Sequence, residues 1–185
     1  MNVVLMVSDG YPKKFSANNA KGEFIALGLQ NAGCNVSMLD SLFGTKGQFS
    51  IESGVSDAGI NYILLPRNNK YLAFIYNIPR IWKFLRGRKE KGGVNHIILG
   101  MTIFPFFVLL SLMAKIAGYK RSSLFHEWHT SIVKGNFIQK IFASMLDKKF
   151  GYFVDLIFPI SHYLKDKSEQ FGKPLYLLPV LASYN

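Results

Sequence analysis

Short apolar segments alternate with longer stretches of helical spacing along the whole chain. Residues 3–7 predict a buried strand, and similar runs recur at 35–39, 62–65, 95–99, 123–125, 156–160 and 175–178. Between these runs, apolar residues three or four positions apart predict helices at 18–32, 71–86, 106–117, 136–150 and 163–171. Such alternation is typical of a parallel sheet with helices on both faces. We therefore expect one doubly wound, Rossmann-like α/β domain over residues 1–185.

Glycine and proline refine these predictions locally. Gly33 should end the first helix, and Pro105 suits the first turn of the helix at 106–117. Pro79 should interrupt the helix at 71–86, because proline has no N–H to donate and its ring crowds the preceding turn. Residues 45–59 are rich in Gly and Ser and favour a loop or an irregular hairpin.

One long uncharged run allows two interpretations. Residues 97–114 form 18 positions without a charge, which is the lower limit for crossing a hydrocarbon core of about 30 Å. A strand buried on both faces, followed by a buried helix, has the same hydropathy. Gly100 and Pro105 divide the run, so we favour the strand and helix over a membrane span.

The charge of the chain restricts its partners. There are 22 Lys and Arg against 11 Asp and Glu, a formal net charge of +11, while hydrophobic residues make up 49% of the sequence. This composition excludes a disordered protein and favours anionic surroundings. The single cysteine, Cys34, excludes an intrachain disulfide, and the amino terminus lacks the basic region of a signal peptide. We expect a cytoplasmic protein, or one that is peripheral on the inner membrane face.

Most of the excess charge lies between Arg67 and Lys91. Eight basic residues and one acidic residue, Glu90, fall in this segment, interleaved with aromatic and aliphatic residues. Such a helix suits an anionic membrane surface, but a helix that covers a sheet and leaves its charges in water would have the same pattern. No nucleic-acid-binding motif accompanies the charge, so we expect no nucleic-acid partner. The candidate membrane contacts are Arg80, Lys83, Arg86, Arg88 and Lys89.

Several known chemistries are excluded by their missing motifs. The sequence has no Gly-x-Gly pair for a dinucleotide, no phosphate-binding Gly-x-x-x-x-Gly-Lys, no Gly-x-Ser-x-Gly and no Asp-x-Asp. Asp40 ends the second predicted strand, where a ribose ligand would be expected. His126 and His129 are close in sequence, but a strand end does not direct both rings at one ion. We therefore expect neither a metal site nor a resident cofactor.

Polar residues gather at the carboxyl ends of the predicted strands, where parallel sheets bind ligands. Residues 8–10, 66–69, 126–129 and 161–162 follow four of these strands. His126 and Glu127 stand out, because histidine handles protons near neutral pH and donates hydrogen bonds to sugar or phosphate oxygens. The alternative is a structural histidine packed under Trp128.

Four segments, taken in order, carry a resemblance to a known family. They are 11–17 (YPKKFSA), 29–36 (LQNAGCNV), 123–127 (SLFHE) and 155–164 (DLIFPISHYL). This order and spacing is similar to the amino-terminal half of the family-4 nucleotide-sugar glycosyltransferases. These are retaining enzymes with two facing Rossmann-like domains, the B-type glycosyltransferase fold. Ser16 and Ala17 occupy the place of the family's Gly-Gly.

The resemblance implies a function for this chain. It would be the acceptor-side domain of a nucleotide-sugar-dependent glycosyltransferase in polysaccharide or glycolipid synthesis, with a glycan or lipid-linked acceptor. A carboxyl-terminal domain beyond residue 185 would hold most of the nucleotide sugar, so we expect no transfer by the chain alone. The implied site residues are catalytic His126 and Glu127, a donor-facing loop of Ser16, Ala17, Asn18 and Asn19, and Ser161 in the cleft wall.

A second function class remains open from the sequence. The chain would then be a non-enzymatic Rossmann-like module that docks its basic helix on an anionic membrane or on an acidic partner. A reading frame that continues into a second α/β domain with paired glutamates would favour the enzyme, and a natural stop near residue 185 would favour the module.

Overall fold

A computed structural model describes residues 1–6, 10–13, 16–40, 44–67, 72–100, 104–125 and 137–178. The strands of this part of the chain are β1 (Asn2–Met6), β2 (Asn35–Leu39), β3 (Thr45–Lys46), β4 (Glu52–Val55), β5 (Asn61–Leu64), β6 (Pro66–Arg67), β7 (Asn95–Leu99), β8 (Lys120–Phe125) and β9 (Leu156–Pro159). Its helices are α1 (Ala17–Asn31), α2 (Ala73–Arg88), α3 (Phe104–Ile116), α4 (Phe137–Lys149) and α5 (His162–Ser168). Short 3-10 turns follow α4 at Phe150–Phe153 and α5 at Glu169–Phe171.

The fold class is confirmed. Seven strands form one sheet in the order β4-β5-β2-β1-β7-β8-β9, and β3 pairs with β6 in a small separate sheet. The chain first builds outward from β1 through β2 to β5, and later continues from β7 to β8 and β9 on the other side. This reversal of strand order defines a doubly wound sheet. The pairs β1–β2, β2–β5 and β8–β9 are parallel, as the alternation of strands and helices predicted.

The chain forms two compact units. The first contains residues 1–97 and 117–119, and the second contains residues 98–116 and 120–185. At the centre of the first unit, every residue of β1 is buried, and β2 is buried from Val36 onward. A strand that is covered on both faces is mostly apolar at successive positions rather than at alternate ones, and here the buried residues other than Asn2 and Ser37 are apolar. This explains why the continuous apolar runs, and not an alternating pattern, located β1 and β2.

Of two local predictions for the first unit, one is confirmed in part and one is wrong. Residues 45–59 contain β3 and β4, and β4 pairs antiparallel with β5 at the edge of the sheet, so the hairpin alternative is confirmed and the loop alternative is not. The predicted interruption at Pro79 is wrong, because helix α2 is continuous through this residue. Every fourth residue of α2 is buried, namely Ala73, Asn77, Ile81 and Leu85. The packing of this stripe on both sides of Pro79 outweighs a local proline penalty of about 3 kcal/mol.

The second unit is built around aromatic side chains. Phe107 of α3 and Phe150 are fully buried with ring centroids 6.4 Å apart, and Phe171 lies 4.8 Å from Phe150 on another side. These edge-on contacts tie α3 to the two 3-10 turns. The predicted strand at 175–178 is reduced to a single bridge between Leu175 and Ile157. The segment still runs along β9, because the backbone N–H of Leu178 donates to the carbonyl of Pro159 at 2.8 Å.

The uncharged run at 97–114 is divided between β7 and α3, as favoured from the sequence. Helix α3 has 13 residues, too few to cross a hydrocarbon core. Within the described ranges, no helix combines the length and the hydropathy that a membrane span needs.

Candidate functional site

Residues 10–13, the segment after β1, are packed tightly within the first unit. Gly10 has a positive φ of 72°, and a Cβ atom at this position would lie 2.5 Å from Cγ2 of Thr45. Both the backbone conformation and the close approach therefore require glycine. Because Thr45 belongs to β3, Gly10 packs directly against the small sheet of β3 and β6.

Asp40 organises the same end of the sheet. This residue directly follows β2 and is only 1% exposed. Its Oδ2 accepts hydrogen bonds from Oγ1 of Thr45 at 2.6 Å and from the backbone N–H of Leu65 at 3.2 Å. A buried carboxylate is stable only when it is hydrogen-bonded in this way. The position at which the sequence suggested a ribose ligand thus serves to join β2, β3 and the end of β5.

Tyr11 anchors the segment to the hairpin of β4 and β5. Its side chain is 3% exposed, and its hydroxyl donates to Oγ of Ser56 at 2.8 Å. The pKa of Tyr11 is raised to about 12, mainly by burial; the hydrogen bond with Ser56 lowers the pKa and the nearby Glu23 carboxylate raises it. The phenol therefore stays protonated at neutral pH and keeps this hydrogen bond.

An exposed cluster around Glu52 of β4 fixes the other side of the segment. Lys13 forms an ion pair with Glu52, which also accepts a hydrogen bond from the hydroxyl of Tyr62 at 3.2 Å. The hydrogen bond from Lys13 is the main reason why the pKa of Glu52 lies below its ordinary value. Tyr11 and Lys13 together hold residues 10–13 on one hairpin.

Four predicted donor-facing residues lie at the start of α1. Ser16 is the N-cap, with its Oγ accepting from the backbone N–H of Asn19 at 3.1 Å. Ala17, Asn18 and Asn19 form the first turn of the helix, and Asn19 is buried. These residues are therefore an ordered helix start that follows the segment after β1, rather than a loop. Capping explains why the chain has a serine here: its hydroxyl satisfies one of the free N–H groups of the first turn.

Three other predicted residues lie elsewhere. His126 and Glu127 follow β8 directly and lie outside the described residues, so their catalytic roles stay predictions. Ser161 belongs to the second unit and is the N-cap of α5, where its Oγ accepts from the backbone N–H of Leu164 at 3.2 Å. Its place in a cleft wall also stays a prediction.

The five predicted membrane contacts fall into two groups. Arg80, Lys83 and Arg88 line a groove in the first unit with a volume of about 420 Å³. Arg86 instead lies over the ring of Trp82, with its guanidinium carbon 5.6 Å from the ring centroid. The ammonium end of Lys89 lies over Gly118. The other groove residues are Leu39, Ile51, Ile63, Leu65, Phe84 and Gly87.

Sequence reasoning did not find this groove. The groove face of α2 has the spacing 80, 83, 84, 87 and 88, which lies beside the buried stripe on a helical projection. This spacing is the feature of the sequence from which the groove face of α2 could have been predicted. The rest of the lining comes from the ends of β2 and β5 and from Ile51, which the sequence does not connect to α2. Within the described part of the chain, no three His, Cys, Asp or Glu residues are grouped to hold a metal ion.

The sequence and the fold were compared with known proteins. No protein-family model and no curated protein matches the sequence. A sucrose-phosphate synthase from Thermosynechococcus elongatus is similar in structure with a TM-score of 0.64 at 13% identity, over 96% of this chain and 47% of that one. A UGT transferase from Siraitia grosvenorii, solved in complex with UDP, has a TM-score of 0.60 at 10% identity, over 100% of this chain and 52% of that one.

A third similar structure is described as a UDP-N-acetylglucosamine 2-epimerase from Listeria monocytogenes. Its TM-score is 0.55 at 12% identity, over 96% of this chain and 44% of that one. The chain thus spans about half the length of each of these structures. At such low identity the likeness establishes the fold alone: this chain has the Rossmann-like fold found in one half of B-type glycosyltransferase structures.

Proposed function

We propose that this chain is the acceptor-side domain of a retaining, family-4 nucleotide-sugar-dependent glycosyltransferase. The observation that carries the proposal is the match of nearly the whole chain to about half of two larger proteins, one named a synthase of a sugar phosphate and one a transferase holding UDP. A second domain would then complete the enzyme and hold most of the nucleotide sugar. The reaction would serve polysaccharide or glycolipid synthesis, with the protein in the cytoplasm or peripheral on the inner membrane face.

The start of α1 supports a donor-facing role. Its first-turn N–H groups carry partial positive charge, and a helix start of this kind favours a diphosphate. Ser16 and Asn19 shape this turn, and residues 10–13 before it are fixed by Tyr11 and Lys13. A fixed backbone needs no rearrangement when a charged ligand arrives, which is how binding sites gain affinity without extra contacts.

His126 would act as the hydrogen-bond donor to the reacting sugar, with Glu127 beside it. The test is transfer from uridine and guanosine diphosphate sugars by the protein that joins this chain to its donor-binding domain. We expect His126→Ala to reduce kcat at least about a hundredfold, since a positioned acid–base or hydrogen-bonding group supplies about 10²–10⁴-fold. His162→Ala, which removes an exposed histidine of α5, is the matched control. Unchanged turnover in His126→Ala would refute the assignment, and absence of transfer from every donor would refute the function.

A membrane-docking module is the second candidate. It is favoured by α2, whose Lys83, Arg86 and Arg88 have no carboxylate partner among the described residues. Each such cation near an anionic surface contributes about 1 kcal/mol. We expect the chain to sediment with phosphatidylglycerol vesicles at low salt and to be released at about 1 M salt, where the Debye length falls to about 3 Å.

A variant that loses four charges tests whether α2 is responsible for vesicle binding. Lys83→Gln, Arg86→Gln, Arg88→Gln and Lys89→Gln together should abolish most of the binding. If the chain binds neutral vesicles equally well, or if the variant binds vesicles as the wild type does, α2 is an ordinary core-covering helix. Vesicle binding without any transfer activity in the longer protein would favour the module over the enzyme.

A further inference from the structure

The groove beside α2 combines an apolar lining with a set of cations. Leu39 and Leu65 lie beneath it and are 0% and 2% exposed, while Ile51 at its edge is 52% exposed. Phe84 and Ile63 complete the apolar part. The volume of about 420 Å³ lies in the range of small-molecule sites, and all the lining residues belong to the first unit.

Two of the three groove cations are oriented by neutral partners. A guanidinium nitrogen of Arg80 donates to Oδ1 of Asn77 at 3.0 Å, and Asn77 is fully buried with its Nδ2 donating to the carbonyl of Pro66 at 3.1 Å. The guanidinium of Arg88 lies 5.9 Å from the ring centroid of Phe84. These partners are neutral, so they orient the side chains and leave their charge for a ligand.

No acidic residue is found among the described residues that line the groove. The nearby β4 residue Glu52 is engaged by Lys13 and Tyr62. Apart from three cations, the described side chains of the lining are aliphatic or aromatic, so among them a sugar ring or a nucleotide base would find no side-chain hydrogen-bond acceptor. The chemistry that fits is a molecule with an anionic head and a hydrocarbon tail.

We propose that this groove binds the phosphate group and the adjoining hydrocarbon of one lipid phosphate molecule. Arg80, Lys83 and Arg88 contact the phosphate, and the tail covers Phe84 and Ile63. The proposal that a lipid phosphate binds here depends only on the residues of the groove. Its role as the acceptor of the sugar, rather than as an anchor, rests on the proposed function.

Gly87 offers a way to fill the groove without damaging the fold. A Cβ atom at Gly87 meets no described atom within 4 Å, and leucine favours a helix more than glycine does. Gly87→Leu should therefore fold normally and occupy the space of the tail. Gly28→Leu is the matched control, because Gly28 lies in α1, is exposed and also has open space around its Cβ.

The experiment measures binding of dodecyl phosphate, below its micelle concentration, to the 185-residue chain by calorimetry. We expect one molecule bound per chain, and a Kd at least about tenfold higher in Gly87→Leu but unchanged in Gly28→Leu. Circular dichroism of both variants shows that the fold is kept. If Gly87→Leu folds and binds as the wild type does, the groove is not the site.

Two variants that lose the same number of charges distinguish binding in the groove from attraction by the net charge of the chain. Arg80→Gln, Lys83→Gln and Arg88→Gln remove three charges from the groove, while Arg86→Gln, Lys89→Gln and Lys91→Gln remove three from the same segment outside it. Only the first set should raise the Kd about tenfold or more. An equal loss in both sets would show attraction by net charge and would overturn the proposal.

Two further ligands identify what the groove recognises. Inorganic phosphate and zwitterionic dodecylphosphocholine should each bind at least about tenfold more weakly than dodecyl phosphate, because the first has no hydrocarbon tail and the second has no net negative charge. Equal affinity for inorganic phosphate would mean that the apolar lining contributes nothing, and this result would overturn the proposal. Failure of lipid binding in a protein that still transfers sugar would refute the groove and leave the proposed function intact.

Discussion

The two units use their positive charges in opposite ways. In the second unit, Arg121 of β8 is 8% exposed and makes two side-chain hydrogen bonds to Asp155, at 3.0 and 2.6 Å, and a third to Ser111 at 3.3 Å. In the first unit, Arg80, Lys83 and Arg88 border an open groove, and none of them has a carboxylate partner among the described residues.

The difference separates charges that hold the fold from charges that are available to a ligand. A buried guanidinium must have acceptors, because an unpaired buried charge is strongly destabilising. Lys83 and Arg88 are exposed and have no carboxylate partner among the described residues, so they add little to folding and repel other cations, and their charge is available to a partner outside the chain. Four predictions test this contrast, from the largest expected effect on stability to the smallest.

Arg121→Met should give the largest loss. The substitution keeps the length of the side chain but removes the guanidinium hydrogen bonds to Asp155 and Ser111. Because the Asp155 side chain is 44% exposed and can be solvated, we expect the free energy of unfolding to fall by about 2 kcal/mol. Urea unfolding measures this change. Lys120→Met, on the exposed neighbouring position of β8, is the control and should change stability by less than about 0.5 kcal/mol. Similar losses in both variants would contradict the contrast.

Asp155→Asn should cause a smaller, pH-dependent loss. The side-chain hydrogen bonds from Arg121 are the main reason why the pKa of Asp155 lies below its ordinary value. Such a carboxylate stabilises the fold while it is ionised, so its contribution is present above about pH 4 and is lost as the pH falls through the lowered pKa. The side chain is 44% exposed, so we expect only about 1 kcal/mol at pH 7. Urea unfolding at pH 7 and at pH 2 should show the difference between wild type and variant shrinking at the lower pH, and a constant difference would exclude the ion pair as its cause.

Lys13→Met should weaken the first unit less than Asp155→Asn weakens the second. The ion pair of Lys13 with Glu52 lies at the surface, where water and salt screen it. We expect a small decrease in Tm at low salt that disappears in about 1 M NaCl, where the Debye length is about 3 Å. A decrease that persists at high salt would mean that packing of the lysine stem, and not charge, fixes the segment after β1.

Removing cations from α2 should have the smallest effect. Lys83→Gln, Arg86→Gln and Arg88→Gln should each change the free energy of unfolding by less than about 0.5 kcal/mol, because no carboxylate among the described residues loses a partner. Thermal unfolding of the three single variants is sufficient for the measurement. A loss comparable to that of Arg121→Met would show that these charges serve the fold and would remove the argument for a ligand.

The sequence predicted the fold well where burial alone decides the structure. The strands at 35–39 and 95–99 have the predicted bounds, and α1 ends before Gly33, as expected. The sequence was less informative where a distant contact decides the structure. For residues 45–59 it left a loop and an irregular hairpin open, because Glu52–Val55 contains only one apolar residue and is held by pairing with β5. The prediction at Pro79 failed, because the buried side chains of α2 pack on both sides of that residue.

The candidate site shows the same limit. Ser16 was named through the family resemblance, as part of a loop, and its role as a helix cap depends on where α1 begins. Asp40 was recognised only as the end of a strand, since its hydrogen bonds to Thr45 and Leu65 connect residues 5 and 25 positions away. The groove residues of α2 were read as membrane contacts because the sequence shows one face of a helix and not the strand ends beside it.

By itself, the sequence determined the α/β class, the positions of most strands and helices, and the concentration of positive charge in α2. These follow from composition and from periodicities that reach only a few residues along the chain. The tertiary structure decided which charges are paired and which are free to bind. Arg121 meets Asp155 across 34 positions, and Arg80 meets the groove formed by Leu39 and Leu65 only after the strands have packed against α2. Pairing of charges depends on distance in space, and no local pattern contains that distance.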